Sequence, residues 1–103
     1  MKRSIDGITY NTTTAKLICE WRNTLDVKNT DWCHEMLFKT SDGLYFLWGC
    51  GGALSPYKIT KNTHHLSKAE ITPFSLQKAK TWAREHLKYE TFQKEFGSTI
   101  QVA

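Results

Sequence analysis

A chain of 103 residues has room for one hydrophobic core and not for two. Its 40% hydrophobic and 23% charged residues exclude a disordered chain, and apolar runs such as Leu44 to Trp48 fall far short of the roughly 20 residues a membrane span requires. The net charge of +4 sits in the second half, since residues 1–52 carry six basic and six acidic side chains and residues 53–103 carry eight against four. Such an excess favours an acidic partner surface, either nucleic acid or protein, although a solvated lysine face has the same composition.

Met1 to Gly7 holds two basic residues with no apolar stretch behind them, so no secretory signal is expected. Ser4-Ile5-Asp6-Gly7-Ile8-Thr9-Tyr10 predicts a small hairpin, because both turn positions of Asp-Gly tolerate positive φ. Asn11 or Thr12 can cap a following helix, and the spacing of Leu17, Ile18 and Trp21 predicts that helix over about 12–21. Asn23 through Thr30 is polar and reads as a loop. A second hairpin follows from the β-favouring runs Trp32–Thr40 and Leu44–Gly49 around Ser41-Asp42-Gly43. The run Leu44-Tyr45-Phe46-Leu47-Trp48 lacks alternation, as expected of a strand covered on both faces. Gly49-Cys50-Gly51-Gly52 ends it, Ser55-Pro56 opens a loop, and Ala69–Thr72 reads as a last short strand.

Ser75 is the expected N-cap of a helix whose apolar stripe is Leu76, Ala79, Trp82, Ala83, His86 and Leu87, with Phe74 and Ala79 placed as a hydrophobic staple. Tyr89, Phe92 and Phe96 predict a second short helix closed by Gly97. The expected architecture is α+β: one domain over 1–97, a small antiparallel sheet of two hairpins covered by two or three short helices, with a loose tail over 98–103. Four Trp, four Tyr and five Phe supply this small core with large rings, some of which can equally serve as exposed anchors.

Three cysteines, Cys19, Cys33 and Cys50, are odd in number and unpaired in spacing, so a reducing, cytoplasmic setting is expected rather than a disulfide framework. Together with His34, His64, His65 and His86 they lack the Cys-x-x-Cys and His-x-x-x-His spacings of a zinc module, and no metal or cofactor is expected. Cys50 with His64 or His65 as base is the best nucleophile the sequence offers, with nothing to bring them together. The glycines at 49, 51 and 52 permit a phosphate contact, yet Pro56 argues against the helix a phosphate loop needs. Asp26, Asp31 and Glu35 form no recognisable acid–base pair, and the chain is not expected to be an enzyme. A binding surface is better supplied. Lys58, Lys61, His64, His65 and Lys68 on a loop, with Lys78, Lys80 and Arg84 on a helix, can track an acidic surface, and Tyr57, Trp48 or Trp82 can offer a ring for stacking. No helix-turn-helix or RNP-type motif accompanies them.

Three blocks resemble a family of small bacterial proteins carried largely on phages and other mobile elements. The first is Ile5-Asp6-Gly7-Ile8-Thr9-Tyr10-Asn11-Thr12 with Thr14-Ala15. The second is Gly43-Leu44-Tyr45-Phe46-Leu47-Trp48-Gly49 with Gly51-Gly52-Ala53-Leu54-Ser55 and Tyr57. The third is Ile71-Thr72-Pro73-Phe74-Ser75 with Ala79, Trp82, His86-Leu87, Tyr89 and Phe96-Gly97. The blocks run over most of the chain but carry no established chemistry to transfer. Cys50 stands where the family pattern leads us to expect an acid, and Pro56 where it leads us to expect a base.

The resemblance implies a mobile-element setting, in which small proteins commonly sequester host machinery, and by that analogy an anti-CRISPR-like or related defence antagonist. The basic charge argues against simple DNA mimicry. Two readings therefore stay open: a protein that binds and blocks a host protein or ribonucleoprotein complex, and a small basic protein that contacts RNA or DNA through the 57–84 stretch. Neither involves a membrane.

Overall fold

The computed structural model describes residues 1–24, 28, 30–52, 55–57 and 69–97. Strands β1 (Lys2–Ile5) and β2 (Ile8–Asn11) form the expected antiparallel hairpin. Its turn residues Asp6 and Gly7 have φ of 51° and 79°, the pair of positive values that Asp-Gly was expected to supply.

The helix expected over 12–21 is not formed; that segment leads into strand β3 (Lys16–Arg22). Both capping candidates are spent elsewhere. Asn11 Oδ1 accepts from the amide of Thr13 two residues on, and the Thr12 hydroxyl donates to the carbonyl of Met1. The helical spacing came from a bulge. Register with β4 (Cys33–Lys39) shifts between Leu17 and Cys19, so Ile18, Cys19 and Trp21 all pack toward the helical side, and strict alternation is lost.

Strands β4, β5 (Tyr45–Gly51) and β6 (Glu70–Phe74) complete an antiparallel sheet of order β3-β4-β5-β6. The expected strand pair is present, and β5 continues through the glycines to Gly51 rather than stopping before them. Pro73 is tolerated within β6 because that strand is an edge, where a missing N–H breaks no ladder. Tyr45, Phe46 and Leu47 are all buried, which explains the unbroken apolar run.

Helix α1 (Leu76–His86) starts at Ser75, whose hydroxyl accepts from the amide of Lys78 at 3.1 Å, and buries Ala79, Trp82 and Ala83. Phe74 packs in the same cluster as Ala79, as the staple requires. Helix α2 (Tyr89–Phe96) buries Phe92 and Phe96, and Gly97 caps it with a right-handed backbone, donating to the carbonyl of Gln93.

The result is an α+β fold in which the four-stranded sheet lies between two covers. On one face α1 and α2 pack onto Leu37, Tyr45 and Leu47. On the other, Tyr10 and Ile5 of the first hairpin pack onto Phe38, Phe46 and Ile71. Phe46 stacks on Phe38 at 5.2 Å and meets the Tyr10 ring edge-on at 5.3 Å. Each such buried side chain contributes on the order of 2 kcal/mol by leaving water.

Candidate functional site

On the helical face of the sheet, β4 places Glu35 inward between Cys33 and Leu37. A carboxylate at such a position needs partners, and it has two. The Trp82 indole Nε1 donates to Glu35 Oε1 at 3.0 Å, and the Tyr57 hydroxyl donates to Glu35 Oε2. Tyr57 reaches it because Gly49, opposite Glu35 on β5, has no side chain: a Cβ there would overlap the Tyr57 ring. Burial, then the hydrogen bond to Glu35 and its charge, push the Tyr57 phenol well above its ordinary range.

The glycine run is thereby explained without a ligand. A Cβ on Gly51 would strike Ser55, whose hydroxyl donates to Gly52 O at 2.7 Å and accepts from the amide of Tyr57 at 3.1 Å. A Cβ on Gly52 would strike the backbone of Thr30. On the side where their Cβ atoms would stand, the three glycines are covered by Tyr57, Ser55 and Thr30.

The network extends along α1. The His86 ring lies between the Trp21 ring, 4.4 Å away and steeply tilted, and the Trp82 ring, 4.7 Å away and stacked. His86 Nδ1 donates to the Trp82 carbonyl at 2.8 Å, so Nδ1 carries the proton. A second inward carboxylate, Glu95 of α2, accepts from the Tyr45 hydroxyl at 2.5 Å and pairs with Lys39 at 3.4 Å.

The opposite face holds a different group. His34 Nε2 and Glu20 Oε2 lie 2.6 Å apart, with Arg22 3.7 Å from the same oxygen, and the His34 ring meets Trp48 edge-on at 5.2 Å. Cys50 is the register partner of His34. Burial raises the thiols of Cys19 and Cys50, and raises that of Cys33 to about 11, so all three are protonated at neutral pH. Among the described residues no three His, Cys, Asp or Glu side chains converge as a metal site requires.

Of the expected binding residues, Lys58, Lys61, His64, His65 and Lys68 lie outside the described residues. Lys78 and Arg84 are exposed on α1 and Lys80 is half-buried there. Trp48 and Tyr57 lie on opposite faces of the sheet and do not share one stacking surface. Trp48 sits on the hairpin-covered face of the sheet beside His34, and the Tyr57 hydroxyl is turned into Glu35 on the other.

One exposed feature was missed by sequence reasoning. At the junction of α1 and α2, Arg84, Leu87, Tyr89, Phe92 and Gln93 line a hollow of about 370 Å³. Tyr89 is 74% exposed, and its hydroxyl accepts from Gln93 Nε2 at 2.8 Å. The Arg84 guanidinium lies 5.7 Å from the centre of the Phe92 ring. The sequence grouped Tyr89 with Phe92 and Phe96 as one apolar stripe, and nothing in that spacing signals that the first of the three rings is exposed.

No family model, curated protein or solved structure matches this chain. Function must therefore be argued from the site.

Proposed function

We propose that the chain is a non-catalytic accessory protein of a phage or other mobile element that binds and blocks a host protein or ribonucleoprotein complex in the bacterial cytoplasm, in the manner of an anti-CRISPR or related defence antagonist. The observation that carries this reading is a division of labour among polar side chains. Two carboxylates of the helical face are turned inward and tied to other side chains: Glu35 to Tyr57 and Trp82, and Glu95 to Tyr45. Groups suited to gripping are turned outward on α1, where Lys78 and Arg84 are exposed and Glu85 is the only acid. A long-range positive surface of this kind selects acidic partners and speeds encounter with them. The resemblance to mobile-element proteins supplies the setting, and the positive charge favours an acidic protein face or a guide RNA over mimicry of DNA.

Capture from a bacterial host lysate, with and without nuclease treatment, tests the reading. A partner retained after nuclease treatment supports protein recognition. Capture that disappears with the nuclease, and weakens steeply as salt rises, supports instead the alternative of direct RNA or DNA binding, because phosphate contacts release counterions. Capture of nothing in either condition contradicts both.

A further inference from the structure

We infer that the corner between α1 and α2 is a docking site for a protein segment that sets an apolar side chain beside a carboxylate. The inference rests on the binding function proposed above and names the surface that performs it. Tyr89 is the most exposed large hydrophobic side chain among the described residues, at 74%, yet it does not hang free. The Gln93 amide, one turn along α2, holds its hydroxyl, so the ring is oriented before any partner arrives. Leu87, half-buried, and Phe92, buried, floor the hollow beside it. Arg84 stands at its rim, held over Phe92 by a cation–π contact and in no ion pair among the described residues. An oriented tyrosine and an unneutralised arginine around an apolar floor are the side chains that dominate protein interfaces.

Charge and shape select the occupant. The Arg84 guanidinium, in no ion pair among the described residues, calls for a carboxylate, and a hollow of about 370 Å³ floored by Leu87 and Phe92 calls for an aliphatic or aromatic side chain next to it. Nucleic acid fits less well. An apolar hollow, rather than the flat ring faces along a basic groove on which bases stack, is on offer.

The test is a titration of the isotopically labelled full chain, followed by amide NMR. The probe is a capped eight-residue peptide alternating Asp or Glu with Leu or Phe. Controls replace its acids by Lys, or its apolar residues by Ser, and a single-stranded oligothymidine serves as the nucleic-acid arm. Saturable shifts centred on Arg84, Leu87, Tyr89, Phe92 and Gln93 are expected with the acidic apolar peptide. Arg84→Ala and Tyr89→Ala should each weaken that binding by about tenfold or more, with spectra otherwise as dispersed as wild type, while Lys2→Ala on the exposed first hairpin should not. Shifts elsewhere, equal binding by the variants, preference for the oligonucleotide, or corner shifts that follow protein concentration alone would each overturn the assignment. If the two corner variants still capture the host partner from lysate as well as wild type does, the corner is wrong and the binding function stands. If wild type captures nothing, the function itself has failed.

Discussion

The indole of Trp82 and the carboxylate of Glu35 are joined by a 3.0 Å hydrogen bond across the interface between α1 and the sheet. The same carboxylate takes the hydroxyl of Tyr57, so one acidic side chain fastens the helix, strand β4 and the segment after β5 together. Among the described residues no buried side-chain polar atom is left without a partner.

Removing that acceptor strands two donors. Glu35→Ala should destabilise the fold by about 2–4 kcal/mol, the cost of leaving an indole N–H and a phenol unpaired. Glu35→Gln keeps the shape and one acceptor oxygen, and should cost about half as much. Urea denaturation followed by tryptophan fluorescence measures both. Equal, near-zero effects would show that the network does not hold the fold together.

Gly49 should be intolerant of even one methyl group, because Tyr57 occupies the place of its side chain. Gly49→Ala is expected to cost about 1–3 kcal/mol by overpacking. Adding Tyr57→Ala should cancel that cost, so the double mutant is no less stable than Tyr57→Ala alone. Strictly additive losses would contradict the packing.

Stability should fall in alkali. Burial, with the charge of Glu35, raises the Cys33 thiol from 9.0 to about 11, and the phenols of Tyr45 and Tyr57 are pushed up in the same sense. These groups hold their protons more tightly in the fold than in the unfolded chain. Their contribution is complete below about pH 9 and is lost as pH rises through 11 and beyond. Urea midpoints should therefore drop above pH 9, and Cys33→Ala should flatten the first part of that slope. A midpoint indifferent to pH between 8 and 11 would contradict it.

Much of this architecture was legible where pattern and local chemistry agree. Asp6-Gly7, the unbroken run from Tyr45 to Leu47 and the Ser75 cap each specify their element from within a few residues. Strand β3 was not legible, because the extra residue at its bulge imitates a helical period and Asn11 looks like a cap until its side chain is seen in a tight turn. Glu35 stayed hidden for a different reason. Its partners are 22 and 47 residues away, and only the fold brings them to it. The basic residues of α1 were found from sequence. The separation of Trp48 from them was not, since it depends on which face of β5 its ring leaves.

Under the proposed function, positive side chains on the outer face of α1 grip a partner while the inward carboxylates hold the fold. Partner capture by the wild-type chain and by the triple variant Lys78→Glu, Lys80→Glu, Arg84→Glu, with folding verified by circular dichroism, tests it most directly. An intact fold and a loss of capture of about tenfold or more are expected. Undiminished capture by the folded triple variant would contradict it.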